Sequence, residues 1–92
     1  DYSAYAEAKK IYFLVDVREQ EEREHFSLGG LHIPLNKLLA NPQVLALQDN
    51  LVLYCASGKR SAVGVKALIK YFPFKKIVNL KGGVSAVIST ES

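Results

Sequence analysis

An α/β fold, a small parallel β-sheet flanked by helices on both faces, is the class this sequence predicts, and three observations predict it. The apolar runs are continuous rather than alternating, as in Leu51-Val52-Leu53-Tyr54-Cys55, which is how strands buried on both faces read. Segments of helical composition stand between those runs, the arrangement that parallel strands require. The chain has 92 residues, 49% of them hydrophobic and 23% charged, enough for one domain around one modest core, expected to span residues 1–92.

The elements follow in order along the chain. Tyr2, Tyr5, Ala6 and Lys9 fall at helical spacing, so the chain starts inside a helix-like stretch. Ile11 to Val17 is the first strand, rich in aromatic and branched residues and running into Asp16-Val17-Arg18-Glu19. Glu19 to Phe26 is highly charged and favours helix. Ser27-Leu28-Gly29-Gly30 breaks it before Leu31-His32-Ile33-Pro34, a short further strand. Asn41-Pro42 has the form of a helix start, with Asn as cap and Pro in the first turn, leading into a short helix over Gln43 to Gln48. Leu51 to Cys55 is the next strand, and Ser61 to Tyr71 a helix ending before Pro73, with Val63, Val65, Leu68 and Ile69 as its core positions. Lys76 to Leu80 is a last small strand. Gly82-Gly83 makes a turn before a final helical turn or two through Ile88. No internal repeat or low-complexity segment interrupts this order.

The most informative position is Cys55, the only cysteine, placed where a buried strand gives way to a loop and then a helix. Such a loop can aim backbone N–H groups at one point, and the helix behind it adds partial positive charge at its N-terminus. Both favour thiolate over thiol. Lys59 and Arg60 place two cations in the same loop, and neighbouring cations lower a cysteine pKa. In open α/β sheets ligands bind beyond the carboxyl ends of the strands, so Asp16-Val17-Arg18 and Cys55 are expected to share one rim.

Composition excludes several functions. A net charge of +3 with scattered basic residues does not describe a nucleic-acid surface, though anionic small molecules or acidic partners suit it. No apolar stretch is long enough for a membrane span, and no signal peptide opens the chain. A single cysteine forms no internal disulfide and fits a reducing compartment, so a cytoplasmic location is expected. His25 and His32 lack the clustered ligands of a metal site, so neither a metal nor a cofactor is expected. Methionine is absent, as expected of a module processed or cut from a longer protein.

Four landmarks now stand together: Val15-Asp16-Val17-Arg18-Glu19, Gly29-Gly30-Leu31-His32-Ile33-Pro34-Leu35, Tyr54-Cys55-Ala56-Ser57-Gly58-Lys59-Arg60-Ser61, and Asn79-Leu80-Lys81-Gly82-Gly83-Val84. In this order they resemble a rhodanese-like domain, the sulfurtransferase module, over nearly the whole chain. The resemblance implies that Cys55 carries a persulfide and that Ala56, Ser57, Gly58, Lys59, Arg60 and Ser61 cradle its outer sulfur. Two departures stand out. His25-Phe26-Ser27-Leu28 replaces a Gly-His-Ile-Pro stretch of many members, and Val87 stands where the family often has tryptophan. Leu28-Gly29-Gly30 followed by Ile33-Pro34-Leu35 resembles the rhodanese domains fused behind ubiquitin-activating-like adenylyltransferases of the molybdopterin and thiamin pathways. That sub-resemblance implies an upstream adenylyltransferase domain, a donor such as thiosulfate or a cysteine desulfurase persulfide, and a small ubiquitin-like sulfur carrier protein as acceptor.

The chemistry expected of Cys55 is nucleophilic attack on a sulfane sulfur, then release of that sulfur to an acceptor. Gly58 would give the loop its backbone freedom, and Lys59 and Arg60 would attract an anionic donor or remain ordinary solvated charge. Asp16 and Arg18 are read first as a structural pair at the strand end, with a rim role for Arg18 as the alternative. Tyrosine-type phosphatases also use a cysteine at a strand-to-helix loop, but they need one residue more than the four that separate Cys55 from Arg60 here. A non-catalytic interaction or regulatory module on the same fold is the alternative from a different class, since fold alone does not set function.

Overall fold

The computed structural model describes residues 12–80 and 82–85. The expected N-terminal helix, the start of the first strand at Ile11, the final helix beyond Ser85 and the position of Val87 lie outside the described residues.

Among the described residues four strands form one sheet in the order β2-β1-β3-β4, every neighbouring pair parallel. They are β1 (Phe13–Asp16), β2 (Leu31–His32), β3 (Asn50–Tyr54) and β4 (Lys76–Asn79). Helix α1 (Gln20–His25) follows β1, α2 (Leu35–Ala40) and a 3-10 turn (Pro42–Leu45) follow β2, and α3 (Lys59–Tyr71) joins β3 to β4. Phe13 to Asp16 pairs in register with Leu51 to Tyr54, so β1 and β3 end side by side.

The alternation of side chains along β1 and β3 divides the core in two, because successive residues point to opposite faces. One face carries Val15, Val17, Leu51, Leu53 and Cys55 against Leu38, Leu45, Leu68 and Ile77, under α2 and α3. The other carries Leu14, Val52 and Tyr54 against Leu28, Leu80 and Val84, where the chain enters a helical turn at residues 83–85. Continuous apolar strands were the sign of a sheet covered on both faces, and both faces are covered.

Several boundaries differ from expectation. Asn41 both ends one helix and starts the next: it is the N-cap of the 3-10 turn with Pro42 behind it, as expected, though its side chain makes no capping hydrogen bond. Its N–H donates to the Lys37 carbonyl at 3.0 Å, closing α2, and its side-chain Oδ1 accepts from Gln43 Nε2 at 2.8 Å. The expected helix over Gln43 to Gln48 is therefore only the 3-10 turn, and the true helix, α2, lies just before it. That helix carries the pattern Leu35, Leu38, Leu39 on too short a segment for periodicity to be decisive. Leu38 is fully buried while Leu39 is exposed. Val63 and Ile69 are exposed, not core; α3 packs through Ser61, Gly64 and Leu68, with Val65 half-buried. Small residues bring this helix close to β3, which an expectation built on branched apolar residues misses.

Candidate functional site

The site grows from the end of β3. Tyr54 is the last strand residue and Cys55 follows it, fully buried. The chain then turns through Ala56 and Ser57 to Gly58, whose φ of +96° lies in the left-handed region open to glycine. Gly58 is the N-cap of α3. The helix thus begins two residues earlier than the pattern suggests, and Lys59 and Arg60 belong to its first turn instead of the loop.

This turn directs donors at one atom. Cys55 Sγ accepts from Gly58 N–H at 3.0 Å and Ser61 N–H at 3.4 Å, with Ser61 Oγ at 3.5 Å. Burial, the largest single influence, pushes the Cys55 thiol up; the hydroxyl and N–H of Ser61 and the N–H groups of Ser57 and Gly58 outweigh it, so the thiol sits below its ordinary range. No histidine or carboxylate base stands among these contacts.

A second segment holds the loop from behind. Asn79, at the end of β4, donates from Nδ2 to the Gly58 carbonyl at 3.0 Å and accepts from the Ser61 hydroxyl through Oδ1. Val84 N–H donates to the Cys55 carbonyl and Ser85 N–H to the Ala56 carbonyl, each at 2.9 Å. Gly83 makes that approach possible. A Cβ on it would lie 2.1 Å from the Cys55 carbonyl oxygen, at a φ of +60°. The Gly82-Gly83 turn is therefore a backstop for the cysteine loop as well as a helix entry.

The cations are placed differently from expectation. Arg60 makes a bidentate pair with Glu22 of α1, Nη1–Oε1 at 2.6 Å and Nη2–Oε2 at 2.7 Å. Chiefly through the Arg60 hydrogen bonds, the Glu22 carboxyl falls from its usual 4.5 to about 2, and the same pair raises the Arg60 pKa. Arg60 is thus answered by a carboxylate while its side chain stays 39% exposed, and Cys55 adds to the rise in its pKa, whereas Lys59 is exposed and makes no ion pair among the described residues. Glu22 was not among the predicted site residues. Its signal lay in the charged stretch Glu19 to Phe26, but nothing in that stretch says which carboxylate meets Arg60.

Asp16 and Arg18 form the structural pair. Arg18 Nε reaches Asp16 Oδ1 and Nη2 reaches Oδ2, both at 3.0 Å, and Arg18 also donates to the Phe26 carbonyl. Arg23 adds a second cation, Nη1 to Asp16 Oδ2 at 3.4 Å, and donates to the Gly30 carbonyl. With exposures of 0% and 3%, Asp16 and Arg18 are consumed in tying the α1 segment to the strand end, so Arg18 has no surface on the rim. His32 Nε2 lies 2.8 Å from the Arg18 carbonyl and His25 is exposed. Among the described residues no cluster suits a metal ion, and no helix is long and apolar enough to cross a membrane. A cleft of about 150 Å³ lined by Val17, Glu19, Leu35, Asn36 and Arg60 opens at this end of the sheet, and Cys55 is not in its wall.

Chemically, the arrangement is a nucleophile held by neutral N–H donors. It can stabilise negative charge on sulfur, and it has no base with which to deprotonate a substrate.

Known proteins bear on this geometry. The family model for the rhodanese-like domain matches residues 1–90. A Bacillus subtilis protein named as a candidate sulfur carrier, YrkF, is 35% identical over 72 residues, 77% of this chain; the match spans 38% of that protein. The crystal structure of a rhodanese-related protein from Thermoplasma volcanium superposes with a TM-score of 0.81 at 30% identity, covering 92% of this chain and 84% of that one. A Rhodopseudomonas palustris protein of unknown function, described as a possible tyrosine phosphatase, superposes with a TM-score of 0.76 over 99% of this chain and 76% of its own, at 20% identity. That level speaks to the fold alone.

Proposed function

The chain belongs to the rhodanese-like domain family, and from that premise we propose that it is a sulfurtransferase domain carrying sulfur as a persulfide on Cys55. The observation that carries the reading is the convergence of Gly58 N–H, Ser61 N–H and Ser61 Oγ on Cys55 Sγ. The Cys55 thiolate attacks the outer sulfur of a donor, the S–S bond of thiosulfate breaks, sulfite leaves with the electron pair, and a Cys55 persulfide remains. An acceptor nucleophile then attacks the outer sulfur and the Cys55 thiolate departs. Residues Ala56 to Ser61 cradle the outer sulfur, and exposed Lys59 is the cation left to draw in an anionic donor.

The finer steps of the proposal concern partners. A cysteine desulfurase persulfide supplies the sulfur, and the adenylated C-terminus of a small ubiquitin-like sulfur carrier protein receives it as a thiocarboxylate, with an adenylyltransferase domain upstream in the same chain. The similarity to a protein named as a candidate sulfur carrier supports sulfur traffic between proteins. An unpaired thiol suits the reducing cytoplasm for that work. A phosphatase reading loses support from Arg60, whose guanidinium already makes a bidentate pair with the Glu22 carboxylate.

One observation favours a second reading, a non-catalytic interaction or regulatory module: Cys55 has no exposed surface. Intact-mass spectrometry separates the two readings. After incubation with thiosulfate, or with a cysteine desulfurase and cysteine, the wild type is expected to gain one sulfur atom reversibly with reductant, and Cys55→Ser to gain none. No adduct from either donor overturns the sulfurtransferase reading and puts the docking module first.

A further inference from the structure

The side-chain amide of Asn79 meets the cysteine loop twice, and the first contact dictates the second. Nδ2 donates to the Gly58 carbonyl at 3.0 Å. A carbonyl oxygen only accepts, so this contact orients the amide and turns Oδ1 toward Ser61. Oδ1 also only accepts, so in the pair they form the Ser61 hydroxyl is the donor. A hydroxyl has one proton. Three acceptors compete for it, the Gly58 carbonyl at 3.3 Å, Cys55 Sγ at 3.5 Å and Asn79 Oδ1, which is the nearest; with the proton on Asn79 while the sulfur is a thiol, Ser61 presents a lone pair to Sγ. A lone pair suits an S–H group and opposes S⁻, while the N–H groups of Gly58 and Ser61 favour S⁻.

We propose that Asn79 is a positioning residue for Cys55 that acts through Ser61: the hydroxyl rests on Asn79 Oδ1 while the sulfur is a thiol, and turns to the sulfur when Cys55 becomes a thiolate or persulfide. The proposal rests on the reading of Cys55 as the reacting sulfur. The bond that breaks on ionisation is S–H, its proton passing to solvent, and Ser61 only rotates about Cα–Cβ and Cβ–Oγ. Asn79 is half-buried, so water can take the place of the departing hydroxyl at Oδ1. Asn79 thereby holds a further donor in reserve for the charged sulfur.

The ionisable groups around Cys55 are Arg60 of α3, paired with Glu22 of α1, the buried Asp16–Arg18 pair after β1, Tyr54 beside it in the chain, and exposed Lys59. Asn79→Leu changes none of them. The test is the pH dependence of iodoacetamide alkylation of Cys55 in wild type, Asn79→Leu, Ser61→Ala and the double variant. Freed from Asn79, the hydroxyl donates to sulfur, and the alkylation midpoint of Asn79→Leu is expected to fall by about half a pH unit to one unit. In the Ser61→Ala background the same substitution is expected to do nothing. A loop merely loosened loses N–H donors and moves the midpoint up. A midpoint unchanged or raised in Asn79→Leu overturns the proposal, as does a fall that persists without Ser61. Should Asn79→Leu fail to fold, the side-chain amide resonances of Asn79 are followed while Cys55 titrates in wild type and in Ser61→Ala. Movement confined to wild type supports the switch; equal movement in both, or none, overturns it. None of these readouts needs sulfur uptake. A chain that accepts no sulfur yet shows the Ser61-dependent fall loses the sulfurtransferase reading and keeps this one, and a persulfide former without the fall does the reverse.

Discussion

Glu22→Gln tests whether the Arg60–Glu22 pair braces the cysteine loop. The substitution removes the charge and leaves an oxygen that can still accept from the Glu19 N–H, the contact Glu22 makes at 3.1 Å, so the start of α1 is preserved. The Glu22 carboxyl falls from 4.5 to about 2 in the folded chain, which for a buried pair converts to about 3 kcal/mol. Here the Arg60 and Glu22 side chains are 39% and 34% exposed, and solvent screening reduces the contribution to about 1 kcal/mol. The sign follows from the direction of the shift. A carboxyl depressed on folding stabilises fully above its unfolded pKa, near 4.5, and the contribution drains as pH falls toward 2. Urea unfolding of both proteins is expected to show wild type more stable by about 1 kcal/mol at pH 7. At pH 3 less than half of that difference is expected to remain. Equal stability at pH 7, or a difference as large at pH 3 as at pH 7, would refute the reasoning.

Two further substitutions probe the frame of the site. Gly83→Ala drives a Cβ to 2.1 Å from the Cys55 carbonyl oxygen in a left-handed backbone. It is expected to cost at least about 2 kcal/mol in urea unfolding and to slow persulfide formation by pushing the loop forward; full stability would deny the backstop role. Asp16→Asn leaves the 3% exposed Arg18 facing a neutral amide, at an expected cost of about 3 kcal/mol, read from the same unfolding curves. A loss under about 1 kcal/mol would mean that Arg23 and the Phe26 carbonyl hold the strand end without the carboxylate.

How much of this was legible beforehand varies with the range of the interaction. The buried strands were, because Leu51 to Cys55 is apolar without alternation and only a sheet covered on both faces asks for that. So was the cysteine at a strand end, since the strand, the glycine and the helix pattern are contiguous in the chain. Short elements were misplaced. Asn41-Pro42 has the letters of a helix start and does open the 3-10 turn, but nothing in those letters shows that Asn41 also closes α2 through Lys37. Arg60 was read as a cation for the donor because the sequence shows a charge and hides its partner; Glu22 is 38 residues away in the chain.

The sequence by itself determined the α/β class, the parallel sheet and the family, because these follow from hydrophobic runs and motif order written along consecutive residues. Only the tertiary structure decided which groups support the cysteine loop. Asn79, Gly83 and Glu22 arrive from three separate elements: Asn79 holds the Gly58 carbonyl, Gly83 leaves room where a Cβ would collide with the Cys55 carbonyl, and Glu22 holds Arg60, all depending on how β4, the turn after it and α1 pack. Periodicity reports which face of an element is buried. It carries no information on which distant side chain that face will meet.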